Sequence, residues 1–408
     1  MVRDRDGRRE WELAEAPDGL ILGGGLSQLL DVAMSRLSCV VFALVCLSAV
    51  AAPADEYNVF VGTYTAGNSK SEGIYLAKFN SDSGSLMLVG LAAKSNNPSF
   101  LAVHPTKKFL YAVNELGGGN GAVESFAMNA DGTLKLVNRQ SSEGDAPCHL
   151  VVDGAGRNVL LANYMGGNVA VLPIREDGSL AAASSVIRHR GRSVNAQRQT
   201  APHAHSINLA ADNKVAFAAD LGADRVFAYD FDADNGLLTT HDPASASVQP
   251  GGGPRHFAWH PSGKFAYVNS ELTAAVTVFH YDAGQGKLQW LQTIETLPEA
   301  FIGRKGTAEI RVHPSGRFLY CSNRGHDSIA VFRVDQATGK LRKVEHEPTG
   351  GREPRNFFIE PGGRFLLAAN QKSDSIVVFA IDQQTGALSQ TRQRIDVPRP
   401  VCIRMVAQ

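Results

Sequence analysis

One pattern in this chain limits its possible folds more than any other: the same string of residues is written again and again. Asn97-Pro98-Ser99-Phe100-Leu101-Ala102-Val103-His104-Pro105 is followed by Lys108 to Asn114, a glycine-rich turn, Ala122 to Met128, and Asp131-Gly132-Thr133-Leu134. The grammar returns at Ala146-Pro147-Cys148-His149 with Arg157 to Asn163, and at His205 to Asn208 with Val215 to Asp220. It returns again at Gly253-Pro254-Arg255-His256 with Lys264 to Asn269, at Ala308-Glu309-Ile310-Arg311 with Arg317 to Asn323, and at Pro354-Arg355-Asn356 with Arg364 to Asn370. A period of about 45 to 55 residues built from four short apolar runs is that of a four-stranded propeller blade.

Within each copy a first run ends at a turn such as His260-Pro261-Ser262-Gly263-Lys264, a second ends in Asn or Asp, a third alternates, and a fourth follows a Gly-x-Leu turn. The alternation of Ser328 to Val334 predicts a third strand with one face on the neighbouring blade and the other more exposed. Six whole copies fit between residues 97 and 396. The ends supply a seventh: Asn58 to Thr65, Gly73 to Phe79 and Leu86 to Leu91 read as second, third and fourth strands, and Pro400 to Val406 as a first strand. The expected fold is therefore all-β, a seven-bladed β-propeller over residues 57–408 closed by joining N- and C-terminal strands in one blade, which hides the edges an open stack would leave.

Forty basic and forty acidic residues among 408 leave no net field to recruit nucleic acid or an anionic membrane, so any anion binding is local. The one long apolar run, Leu37 to Val50, lies between Arg36 and Ala52-Pro53-Ala54, the layout of a secretory signal over 34–54 with cleavage near Ala54. It is too short to span a bilayer comfortably, so no membrane span is expected in the mature chain. Residues 1–33 then read as an extension upstream of Met34. Val45 before Cys46 argues against a lipoprotein anchor. The remaining Cys148, Cys321 and Cys402 are too few and too scattered for a disulfide framework or a zinc site, and are expected to be small buried residues. The sequence fixes no oligomeric state.

In a propeller the innermost strands line a central channel, so the residues that open them ring one mouth. In chain order the pairs are Ser99 and Phe100, Cys148 and His149, His205 and Ser206, Arg255 and His256, Ala308 and Glu309, Arg355 and Asn356, Val401 and Cys402. Three histidines, two arginines and one carboxylate converge there. Loops leaving each second strand add Glu115, Tyr164, Asp220, Glu271, Arg324 and Lys372 at the rim. Arginine forks and a lysine suit phosphate or carboxylate oxygens. A carboxylate or imidazole can take a proton from attacking water, and a guanidinium or imidazolium can hold the resulting oxyanion. The catalytic candidates are Glu309, His149, His205 and His256; the substrate-binding candidates are Arg255, Arg355, Arg324, Glu271, Tyr164 and Lys372. Neither metal nor cofactor is expected. His104, His260 and His313 precede prolines at the opposite turns and read as turn residues; His189, His241, His326 and His346 fall in loops and carry no signal. Arg188 to Arg192 with Arg198 reads as a solvated insertion.

The strings Val61-Gly62-Thr63-Tyr64-Thr65, Gly253-Pro254-Arg255-His256, Tyr267-Val268-Asn269-Ser270-Glu271-Leu272, Pro298-Glu299 leading to Ala308-Glu309, and Pro354-Arg355-Asn356-Phe357 resemble the propeller-type 6-phosphogluconolactonases, a family that includes carboxy-muconate cyclases. The resemblance covers residues 57–408. It implies a cofactor-independent hydrolase that opens 6-phospho-glucono-δ-lactone, a step of the cytosolic pentose phosphate pathway, with a small sugar lactone as its partner. An exported chain would sit where phosphorylated sugars are scarce, which leaves an unphosphorylated lactone open. Two rivals stand beside the hydrolase: a lactonising cyclase of the muconate type, and a noncatalytic interaction propeller of an exported protein.

Overall fold

The computed structural model describes residues 56–408. The expected extension at 1–33 and the signal at 34–54 lie outside them. Seven antiparallel sheets of four strands each follow one another along the chain. The last is assembled from both ends: Pro400–Ala407 pairs with Glu56–Thr63, which continues to Gly73–Asn80 and Leu86–Lys94. The all-β, seven-bladed propeller closed by its termini is thus the observed fold. Among the described residues, no helix is long and apolar enough to cross a membrane.

The innermost strands are Leu101–Val103, Pro147–Val152, Ala204–Leu209, Pro254–Trp259, Thr307–Val312, Pro354–Ile359 and Pro400–Ala407. The first is shorter than its sequence counterpart. Asn97 takes a left-handed φ of 46°, Pro98 has no amide to donate, and Ser99 and Phe100 reach their places before regular pairing begins.

The expectation for the third strands does not hold. Ser328–Val334 is buried at six of its seven positions, because each blade is covered on both faces by its neighbours. Exposure appears instead on the fourth strands, such as Leu341–Pro348 at the perimeter. The core accordingly lies between blades. Phe318, Tyr320, Ile329 and Val331 of one blade pack against Phe357, Leu366, Val377 and Phe379 of the next.

Repeated polar residues tie the blades together. Tyr111, Tyr267 and Tyr320 are fully buried, and each donates its hydroxyl to a glycine carbonyl of the following blade: Gly178 at 3.1 Å, Gly339 at 3.0 Å and Gly386 at 2.8 Å. His104, His260 and His313 are turn residues as read, and they also bridge, with Nε2 against the carbonyls of Gly156, Gly316 and Gly363 at 2.8, 3.0 and 2.7 Å. Asn163, Asn323 and Asn370, which end second strands, donate their amides to the carbonyls of Ser142, Thr296 and Thr349. These bonds satisfy the buried donors at each blade junction named, while Asn163 and Asn370 keep a side-chain oxygen without a hydrogen-bond partner. Cys148, Cys321 and Cys402 are free and buried.

Candidate active site

The register of the innermost strands breaks at the ring positions. Pairing shifts between Pro147 and His149, Ala204 and Ser206, Pro254 and Phe257, Thr307 and Ile310, and Pro354 and Asn356. A bulge at this point re-aims consecutive side chains that strict alternation would send to opposite sides of the strand. The single ring read from sequence is in fact two layers. First members of the pairs, Ser99, Cys148, Arg255, Arg355 and Val401, surround a small upper pocket with Tyr64 and Glu115. Second members His149, His256 and Glu309 line a larger lower chamber, and Phe100 and His256 border both.

Glu271 organises the upper layer. Its carboxylate meets Arg255 Nε at 3.2 Å, Arg324 at 2.8 Å and Arg198 at 3.0 Å. Burial by itself raises the Glu271 pKa, but Arg324, Arg255 and the other cations together hold it well below the usual carboxylate range. Arg255 is pulled down to about 10 by burial and by Arg324 and Arg355, and so remains protonated at neutral pH. On the far side of the mouth Arg355 donates to the Tyr64 hydroxyl at 2.8 Å, and Tyr64 donates to Glu115 at 2.8 Å. Ser99 also donates to Glu115.

His205 belongs to this upper layer. Its ring lies edge-on to Tyr164 at 5.3 Å and to His256 at 5.4 Å, with Nδ1 3.6 Å from Cys148 Sγ. Burial first, then the Arg255 charge, keep His205 neutral well below the ordinary imidazole value. Tyr164 accepts from Arg198 at 2.9 Å and stacks on His203 at 4.6 Å.

Glu309, His149 and His256, grouped with the mouth residues on sequence, occupy the layer beneath. Phe100, His149 and His256 pack ring against ring at 4.3 to 5.6 Å and form a partition. Glu309 accepts from the Ile310 amide at 3.1 Å and from Asn356, and lies 3.2 Å from His256 Nδ1. These partners hold its carboxylate in place, and the partition lies between it and the upper pocket lined by Arg355 and Glu115. Lys372 stays exposed at the rim, 3.3 Å from Glu353. Asp220, another rim candidate, is fully buried and structural: it accepts from the amides of His203 and Ala223 and holds His189 Nδ1 at 2.6 Å.

That last contact corrects two readings. His189 is a buried anchor rather than a loop residue without signal, and the insertion it anchors is not simply solvated, since it carries Arg198 over the mouth to Tyr164 and Glu271. Tyr64 was missed although the rim rule reaches it, for it follows the second strand of the closing blade. Arg311 and Arg404 were missed too. Each lies two residues beyond a lower-layer position, Glu309 and Cys402, so strand alternation returns it to the channel. Among the described residues there is no group of three or more His, Cys, Asp or Glu side chains placed to hold a metal ion.

The profile of the family described as lactonase, 7-bladed beta-propeller matches residues 58–405. The chain belongs to this family. The lactonase chain is 38% identical over 354 residues to the 6-phosphogluconolactonase of Bacillus subtilis, covering 86% of this chain and 99% of that one. It is 34% identical to the 6-phosphogluconolactonase of Formosa agariphila, over 74% of this chain and 86% of that one. Among solved structures it resembles the periplasmic gluconolactonase of Pseudomonas aeruginosa with a TM-score of 0.81 and 40% identity, over 86% of this chain and 99% of that chain.

Proposed function

We propose that this lactonase is a hydrolase that opens 6-phospho-glucono-δ-lactone to 6-phosphogluconate at its upper mouth. The observation that carries the reading is a charge surplus beside a neutral base. Four guanidiniums, of Arg198, Arg255, Arg324 and Arg355, share the mouth with two carboxylates, Glu115 and Glu271, next to neutral His205. Such a surplus suits a dianionic phosphate, which guanidinium forks bind in bidentate fashion. The names of the curated relatives point the same way.

The proposed roles follow from position. His205 takes a proton from water as the water oxygen attacks the lactone carbonyl carbon. Arg255 or Arg355 steadies the oxyanion that forms. When the ring C–O bond breaks, the proton on His205 passes to the leaving alkoxide, and the products are a hydroxyl and a carboxylic acid that ionises by releasing its proton to solvent. A δ-lactone is a reactive ester, so a weak base is sufficient. Glu271 holds the arginines in place, and Tyr64 positions Arg355. Export directed by residues 34–54 belongs to the same proposal, in keeping with the periplasmic P. aeruginosa neighbour.

The test follows loss of phosphorylated and unphosphorylated gluconolactone side by side, each corrected for spontaneous hydrolysis. The expected result is faster turnover of the phosphorylated lactone. His205→Gln lowers kcat/KM by roughly 10² to 10⁴, the usual contribution of a positioned base. Arg355→Met removes the preference between the two substrates. No acceleration of either lactone overturns the reading, and a preference for the unphosphorylated one reassigns the substrate.

A further inference from the structure

Below the partition the channel widens into a chamber of about 310 Å³ that the proposed reaction does not use. Its volume lies within the range of small-molecule sites. The far halves of the innermost strands supply Asn208, Trp259, Arg311 and Arg404, and Glu309 and His149 lie at its inner end.

The charges here do not balance. Among the described residues Arg404 makes no ion pair: its Nη1 donates to the Ile403 carbonyl at 2.7 Å, and its guanidinium lies 4.5 Å over the Phe100 ring. Arg311 donates to the Phe357 carbonyl at 2.8 Å and comes no nearer than 3.7 Å to Glu309. Burial lowers the Arg311 pKa; Glu309 opposes that shift and Arg404 adds to it, which places the two guanidiniums within each other's field. His149 and His256 are kept neutral, by burial first and then by neighbouring charge. Two cations therefore face one carboxylate, which Arg311 reaches only at 3.7 Å and which already accepts from Ile310 and Asn356. A partly desolvated positive charge is costly until an anion pairs with it.

The neutral groups suit such an anion. His149 Nδ1 accepts from the Ile207 amide at 3.4 Å, which leaves Nε2–H as its donor. The Trp259 side chain also lines the chamber and packs edge-to-face against Phe257 and Tyr281. We propose that the lower chamber is a second ligand site, separate from the mouth, that binds a small oxyanion between Arg311 and Arg404. The class is a compact phosphate or a hydroxylated carboxylate. This site requires no lactone turnover, so it stands or falls independently of the proposed reaction.

Trp259 supplies the readout. In the full chain carrying Trp11→Phe and Trp290→Phe, its fluorescence is titrated with inorganic phosphate and with gluconate, against chloride at matched ionic strength. A saturable change with one site per chain is expected for at least one of the two, and the responding anion identifies the group recognised. Arg404→Met weakens that binding at least ten-fold, Arg404→Lys restores part of it, and Arg355→Met at the mouth changes it less than two-fold. Calorimetry on Arg311→Met, with an unchanged unfolding midpoint, gives a second route to the same loss. No saturable response to either anion overturns the proposal, as does binding that Arg355→Met removes and Arg404→Met leaves intact.

Discussion

Three guanidiniums converge on the two oxygens of Glu271, which is itself almost fully buried. Removing one partner of a buried ion network leaves uncompensated charge, which costs far more than a surface pair. Glu271→Gln is therefore expected to lower stability by about 3 kcal/mol or more in denaturant unfolding. Because the folded Glu271 pKa is depressed, its stabilisation is full above the unfolded carboxylate value and is lost progressively as pH falls from there through the lower folded value. His205 makes a different prediction. A base acts when unprotonated, and this one loses its proton well below the ordinary imidazole value. After subtraction of spontaneous hydrolysis, kcat/KM should be flat from about pH 6 to 8, with no inflection near the unperturbed histidine value of about 6.5. An inflection there would assign the base to another group. The type and position of Arg255, Glu271, Arg324 and Arg355 were legible from the repeat. Their pairing was not, since only side-chain reach in three dimensions makes Glu271 an anchor and gives Glu309 to the chamber beneath.

At the scale of strands and turns, one junction device recurs: a histidine at the end of a first strand, or a tyrosine in a second, reaches a glycine carbonyl in the next blade. Gly316 is required at such a turn, with φ at 74° and space that places a Cβ 2.7 Å from His260 Nε2. Gly316→Ala is expected to lose about 1 to 2 kcal/mol from the left-handed backbone alone. Displacement of His260 adds to this, and a lowered thermal midpoint measures both. The turns and strand runs were readable because Gly, Pro and apolar residues recur in register. The exposure of the third strand was misjudged, because alternation in Ser328–Val334 describes side-chain direction and says nothing about how many neighbours cover each face. The bulges at the ring positions were equally invisible, since register belongs to the pairing of two strands.

Across the whole molecule, closure depends on Pro400–Ala407 docking on Glu56–Thr63, with Val401, Cys402 and Ile403 buried. A chain ending at Arg399 would bare the Glu56–Thr63 edge and open the ring. The expected outcome is loss of a single cooperative unfolding transition and aggregation seen by size-exclusion chromatography. An unchanged midpoint would show that six blades suffice. The sequence by itself determined the number of blades, the strand order and the joining of the ends, because a repeat that cannot bury its faces alone has one economical way to close. It also determined which residue types reach the channel, since the innermost strands occupy fixed places in the repeat. Only the tertiary structure decided that the channel has two levels. That division rests on bulges, on the packing of Phe100, His149 and His256, and on Arg198 arriving from an insertion outside the repeat, all of them contacts between segments distant in the chain.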